Sequence, residues 1–166
     1  MDVFEQAFAE LNIEAHFDET GTFSCTYERS GGTTDEESML FLAAYQDTQN
    51  MTLRLSVTTH NEIPNNLSAD FFRYFSEKAI EPFRGGVGAG VLPGENNVTV
   101  YQSIKASDLL EGSLLETVES LMEEAEEWDQ QLIYYSQLDS NSGDKTVDNA
   151  SLTPPQRSFF ELDRKA

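Results

Sequence analysis

Apolar residues recur along the chain with two periods, and the switches between them mark out eight segments. Phe4, Ala7, Phe8 and Leu11 step by three and four, which predicts a helix over 2–13 with one apolar stripe. Asp2 stands in N-cap position, and Glu5 three residues later completes a capping box. Phe23, Cys25 and Tyr27 then alternate with Thr22, Ser24, Thr26 and Glu28, the period of a half-buried strand. Met39 to Tyr45 is a short apolar run, which predicts a strand buried on both faces. After a polar turn at Asp47–Asn50, Met51, Leu53, Leu55 and Val57 alternate with Thr52, Arg54 and Ser56, predicting a third strand. Strands joined by short connections predict an antiparallel meander.

The second half adds a helix, two strands and a long helix. His60–Asn66 reads as a loop, and Ser68 is a good N-cap for a helix over 69–80 that Pro82 stops. On that helix Phe71, Phe72, Tyr74 and Phe75 span an arc of about 160° at ~100° per residue. One face packed on a sheet does not hide so wide an arc, so the helix lies in a groove or meets a second subunit. Asn97–Ile104 alternates as a strand, with Val87–Leu92 as its hairpin partner. Leu114, Val118, Leu121, Ala125, Trp128, Leu132 and Tyr135 then form a continuous helical seam, with Glu116, Glu119, Glu123, Glu124, Glu126, Glu127 and Asp129 on the other face. From Ser136 the composition turns to Asp, Asn, Ser, Thr, Gly and Pro. The expectation is a domain over 1–135 and a polar, disordered tail over 136–166 that ends in SFFELDRKA.

Charge changes the picture more than length does. The chain has 166 residues, one domain's worth, with 39% apolar residues and eleven Phe for a core. It carries 30 acids against 10 bases, a formal charge of −20. Such a chain repels phosphate backbones and anionic bilayers, so neither nucleic acid nor membrane is expected as a partner. A basic partner, or a client that gains from a soluble acidic holder, fits better. Residues 136–166 hold five acids and four bases, which leaves −19 on residues 1–135. The single cysteine, Cys25, excludes an intramolecular disulfide and points to a reducing cytosol. The N-terminal residues lack the basic and apolar regions of a signal peptide, and no stretch reaches the ~18 apolar residues of a membrane span. The acceptor triplets at Asn66, Asn97 and Asn149 are read as chance.

No residue set carries catalysis. Gly85–Gly90, GGVGAG, lacks the Lys-Ser/Thr of a phosphate loop, and it follows a helix and precedes a strand, the reverse of a dinucleotide fold. Its expected role is a flexible link into a strand against which something packs closely. Cys25 has no activating neighbour in its strand and reads as a small core residue. His16 and His60 match no zinc or iron spacing. Glu119 and Glu123 stand one turn apart, but carboxylates on a regular helix point outward and apart, a solvated face. No cofactor, metal or enzymatic activity is predicted.

Two segments carry a resemblance. LSADFFRYFSEKAIEPFRGGVGAGVLPGENNVTVYQSI joins an amphipathic helix through a Gly-containing link to a strand pair. SLLETVESLMEEAEEWDQQL is a closing amphipathic helix with Ala125, Glu126 and Trp128 in an Ala-Glu-x-Trp setting. Over about 2–133, and most in 67–133, the chain resembles type III secretion chaperones that escort effectors, the Tir-chaperone (CesT-like) family. The resemblance implies an α+β fold: a twisted antiparallel sheet of about five strands with helices packed on it, in the order α-β-β-β-α-β-β-α. It implies a cytoplasmic, bacterial homodimer without enzymatic activity or cofactor, connected with virulence. Such a protein binds the N-terminal segment of a secreted effector through apolar grooves and strand addition, and keeps it soluble and export-competent. The secretion apparatus is a further expected contact. Carried over by position, Phe71, Phe72, Phe75 and Ile80 match the dimer interface. Phe4, Phe8 and Leu11 match the first helix, which with Met51, Leu53 and Leu55 is expected to line the effector groove. The 31-residue tail and the glycine content of 85–90 depart from the family pattern. The competing reading is an acidic mimic or inhibitor that occupies a basic, nucleic-acid-binding surface, held by screened Coulomb attraction.

Overall fold

A computed structural model describes residues 3–28, 39–65, 67–109 and 113–141. The elements in chain order are α1 (Val3–Glu10), β1 (Thr22–Glu28), β2 (Met39–Asp47), β3 (Thr52–Glu62), α2 (Ala69–Ala79), β4 (Gly88–Gly90), β5 (Asn97–Lys105), α3 (Ala106–Leu109) and α4 (Ser113–Asn141). A 3₁₀ turn, Glu81–Arg84, follows α2. The strands form one antiparallel sheet in the order β1-β2-β3-β5-β4. The fold is thus the expected α+β sheet with helices, with α3 and the 3₁₀ turn in addition. Of the tail expected over 136–166, residues 136–141 continue α4; Asp2, the loop over 30–38 and residues 142–166 lie outside the described residues.

Alternation decides which face of the sheet is covered. Leu42 stands opposite Val57, and Val57 opposite Val100, so these residues share one face. With Leu40, Ala44, Leu55, Val98 and Ile104 they are buried. The α4 seam packs on this face, with Leu114, Leu121, Ala125, Trp128 and Leu132 all buried. Burying each such large side chain contributes ~1.5–3 kcal/mol. On the β1 side, Phe8 of α1 meets Phe17 and Phe23 at ring distances of 6.1 and 5.5 Å. Phe4 and Phe8 are consequently core residues.

The structure corrects several expectations. β2 is buried on one face only: Leu40, Leu42 and Ala44 point inward, while Phe41 and Tyr45 are exposed on the opposite face. An apolar run does not by itself reveal that half of it is left open. Met51 belongs to the hairpin turn, not to the strand, and has φ +50°. Its turn is fixed by Asp47, whose carboxylate accepts from the Asn50 backbone N–H (3.0 Å) and side-chain Nδ2 (2.9 Å). β3 continues through His60 to Glu62, where a loop was expected. Its pairing with β5 shifts register between Thr58 and Glu62. Asn97 Nδ2 stabilises that irregular stretch by donating to the carbonyls of Thr59, His60 and Asn61 at 3.1–3.3 Å.

α2 closes the β4 edge. Ser68 caps it, its hydroxyl accepting from Phe71 N at 3.2 Å. Phe71 meets Tyr135, and Lys78 meets Glu124, so α2 runs antiparallel to α4. Its C-terminal end reaches β5, where the Tyr101 hydroxyl donates to Ala79 O at 3.3 Å. Gly88 lies beneath that contact. A Cβ there would stand 2.5 Å from Pro82 Cγ and 2.6 Å from Tyr101 Cζ. The glycine link is thus a site of close packing against a strand, as the sequence implied.

Candidate protein-binding surfaces

The aromatic arc of α2 divides between core and surface. Phe71 is buried, 5.7 Å from Trp128 and stacked on Phe75 at 6.1 Å. Tyr74 and Phe75 lie 5.2 and 5.6 Å from Trp128 and are half-buried. Three of the four rings are thus satisfied within the chain by one indole on α4. The fourth, Phe72, is 55% exposed, and beyond it Ile80 is 57% and Phe83 94% exposed. A ridge of large apolar side chains at this exposure marks a surface suited to protein association. Of the residues expected at a dimer interface, Phe72 and Ile80 present such a surface. Phe71 and Phe75 support it from below. Phe83, on the 3₁₀ turn just after the helix-stopping Pro82, extends the exposed set beyond the four residues expected at the interface.

The expected groove residues separate as well. Phe4, Phe8, Leu53 and Leu55 are at most 1% exposed and have no surface to give a client. Their alternation and stepping are real, but α1 and α4 cover the face they occupy. Leu11 packs half-buried against the core, and Met51 is exposed at the hairpin tip. Two features that sequence reasoning missed offer more. The outer sheet face carries Phe41, Tyr45 and Tyr101, all exposed. There a recess of about 370 Å³ is lined by Ala43, Tyr45, Arg54, Ser56, Tyr101 and Ser103. The second feature is β1, which pairs with β2 alone and leaves one backbone edge without a strand partner among the described residues. Such an edge is a template for an added strand.

The shifted groups of this region owe their shifts to burial and to one ion pair. Burial pushes the Cys25 thiol up, away from the thiolate a nucleophile needs. Burial likewise raises Tyr74, with Glu124 and Glu127 adding to the effect and Lys78 opposing it. Burial lowers Lys78, but its 2.8 Å bond to Glu124 and the nearby Tyr74 and Glu81 outweigh that and hold it above its ordinary value. These groups form a structural ion pair at the α2–α4 seam. Among the described residues no three His, Cys, Asp or Glu gather as a metal would need. Nor is any described helix long and apolar enough to cross a membrane.

Sequence comparison finds no matching protein family and no matching curated protein. Comparison of folds is more productive. A chain of the HopA1–SchA chaperone–effector complex superposes with a TM-score of 0.55 at 19% identity. The match covers 77% of this chain and 91% of that one. A chain of the ExsC–ExsE complex superposes with a TM-score of 0.57 at 18% identity, over 78% of this chain and 90% of that one. At this identity the likeness is one of fold.

Proposed function

We propose that the protein is a type III secretion chaperone that binds the N-terminal segment of a secreted effector in the bacterial cytoplasm. It holds that segment soluble and competent for export, and it acts as a homodimer without catalysis. The observation that carries this reading is the coexistence of uncovered apolar surface and an unpaired strand edge on a chain of charge −20. An extended client needs both features: pockets for alternate side chains and backbone groups to pair with. The acidity keeps an aggregation-prone client in solution without supplying the main attraction. The likeness in fold to a chain of a chaperone–effector complex supports the reading. So does the sequence resemblance in 67–133.

The α2 ridge is the proposed subunit interface. Phe72, Ile80 and Phe83 project from one helix and the turn after it, so a two-fold axis beside α2 would bring two such ridges together. Each large side chain so buried contributes ~1.5–3 kcal/mol before the cost of association. That leaves the β1 edge and the outer sheet face on both subunits for the client.

The deciding experiment is co-purification of the tagged chain from its own host at about 0.5 M salt, where surface Coulomb attraction is largely screened. Recovery of a secreted protein, held through its N-terminal region, supports the chaperone. Recovery of nothing at that salt, but of a basic nucleic-acid-binding protein at low salt, replaces it with the acidic mimic.

A further inference from the structure

The free edge of β1 is shorter than the strand, and one side chain makes it so. Gly21 O accepts from Gln46 N at 2.9 Å, so the odd-numbered residues here turn their backbone groups toward β2. In an antiparallel pair the direction alternates, so Thr22, Ser24, Thr26 and Glu28 turn theirs outward. Thr22 is already satisfied. Its N–H donates to Asp18 Oδ1 at 2.9 Å, and its carbonyl accepts from Asp18 N at 2.9 Å. The outward backbone groups of Ser24 and Thr26 have no partner among the described residues, and both residues are exposed.

The surroundings of that edge define what fits it. On the inner face Phe8, Phe17 and Phe23 form a ring cluster, with 6.0 Å between Phe17 and Phe23. Phe17, Phe23 and Cys25 are only half-buried, although Leu42 and Ala44, their neighbours on β2, are buried. An apolar side chain beside Cys25 would complete the cover of this last column. Charge points to the remaining positions. Residues 3–28 and 39–53 carry seven acids and no Lys or Arg. Glu14, Asp18 and Glu19, on the link from α1 to β1, are exposed and in no ion pair among the described residues. A cation on an added strand therefore gains attraction here, and a carboxylate meets repulsion.

We propose that the β1 edge selects a short extended segment of a partner protein that pairs with Ser24, Thr26 and Glu28. The segment sets apolar side chains on the Cys25 side and carries Lys or Arg rather than Asp or Glu at its other positions. Asp18 fixes the register, because it closes the edge at Thr22. From Ser24 to Glu28 the edge runs roughly 13 Å, room for one short strand. This rests on the extended client of the proposed function, and adds where the pairing starts and which side chains the client brings.

The probe is a displayed library of random peptides of about ten residues, panned on the full chain at low salt. Enriched peptides should place apolar residues at alternate positions and hold more Lys and Arg than Asp and Glu. The double substitution Glu14→Gln/Glu19→Gln should weaken their binding about threefold at low salt and not at ~0.5 M, where exposed charges are screened. Amide exchange on the unaltered chain locates the bound peptide. The Ser24 and Thr26 amides should exchange freely in the free chain and about tenfold more slowly, or slower still, with peptide bound. Phe23 and Cys25, paired with β2, should be slow in both states, and Thr22, held by Asp18, should not respond. Five results would each overturn the proposal: Ser24 and Thr26 already slow in the free chain, enriched peptides that leave them unchanged, slowing that extends to Thr22, a pool without the excess of bases, or no enrichment. A secreted client recovered from the host while no peptide slows these amides overturns the edge inference alone. Slowing by basic peptides where no secreted protein is recovered overturns the chaperone reading alone.

Discussion

Asp129 and Asn61, 68 residues apart in sequence, form a two-bond clasp between α4 and β3. Asp129 Oδ1 accepts from the Asn61 backbone N–H at 2.8 Å and Oδ2 from Asn61 Nδ2 at 2.9 Å. Asp129 is 6% exposed. It satisfies a backbone donor at the point where β3 loses register with β5 and has no ladder partner to offer. Asp129→Ala strands that donor and should cost about 2–4 kcal/mol, since each bond to a buried charge is worth ~1.5–3 kcal/mol. Asp129→Asn keeps one acceptor but turns an amide donor toward the Asn61 amide, and should cost about half as much. Urea unfolding followed by fluorescence of Trp128, the sole tryptophan, measures both. Equal stability of all three chains would show that the clasp contributes nothing net.

Gly88 should tolerate no side chain. With a Cβ 2.6 Å from Tyr101 Cζ and 2.5 Å from Pro82 Cγ, Gly88→Ala must displace the ring and the turn together. The expected cost is about 1–3 kcal/mol, the range for overpacking. Gly85→Ala is the control for a different mechanism. A Cβ there meets nothing within 4 Å, but its φ of +83° costs ~1–2 kcal/mol for a residue other than Gly. Tyr101→Ala should therefore recover part of the loss at position 88 and none at position 85. Thermal unfolding of the double variants separates the two.

Alkaline pH should loosen the α2–α4 seam. Tyr74 and Lys78 both titrate above their ordinary values in the folded chain, Tyr74 through burial and Lys78 through its bond to Glu124 against a lowering by burial. A group raised on folding stabilises fully below its unfolded pKa, near 10 for both types, and loses that contribution as pH rises through the folded value. Stability should fall from about pH 10 upward, and Trp128 fluorescence should change with it, because Tyr74 lies 5.2 Å away. Glu124→Gln removes the partner charge and should move the onset downward. Asp18 and Asp47 have the opposite sign. Hydrogen bonds, first from the Thr20 and Asn50 side chains, hold them below their ordinary values, so their contribution is lost as pH falls through those lowered values.

Local periodicity made most of the fold legible. The α4 seam from Leu114 to Leu132 and the alternation of Leu53, Leu55 and Val57 appear in the structure as read, because both patterns are dictated by burial against a single neighbour. Four matters were not legible. The run Met39–Tyr45 does not reveal that Phe41 and Tyr45 face outward, because that depends on which face the helices choose. The extension of β3 through His60 depends on Asn97 and Asp129, partners far away in sequence. The α2 arc was visible as too wide for one face, but its resolution needed Trp128. One indole takes Phe71, Tyr74 and Phe75 and leaves Phe72 outside. For the same reason the groove residues could not be separated from the core. Phe4, Phe8, Leu53 and Leu55 carry the same pattern whether their cover is a helix of the chain or a client.

The division of α2 into a supporting side and a presenting side sets up the contrast that tests the proposed interface. Phe71 is buried against Trp128 and Tyr135, so Phe71→Ala should cost ~3–5 kcal/mol of folding stability, as deletion of a core ring does. Phe83 is 94% exposed and Ile80 57%, so within one subunit Phe83→Glu and Ile80→Glu should change stability by under about 0.5 kcal/mol. If the ridge is the subunit contact, those two substitutions should instead halve the molar mass seen by light scattering at micromolar concentration, because each places a charge in the apolar centre of the interface. Far-ultraviolet circular dichroism should stay that of the folded chain. Phe75→Glu is the poorer probe. Its ring lies 5.6 Å from Trp128, and a charge there would unfold the subunit before it reported on association. A wild-type chain that is monomeric, or a dimer that Phe83→Glu and Ile80→Glu leave intact, would remove the ridge from the interface.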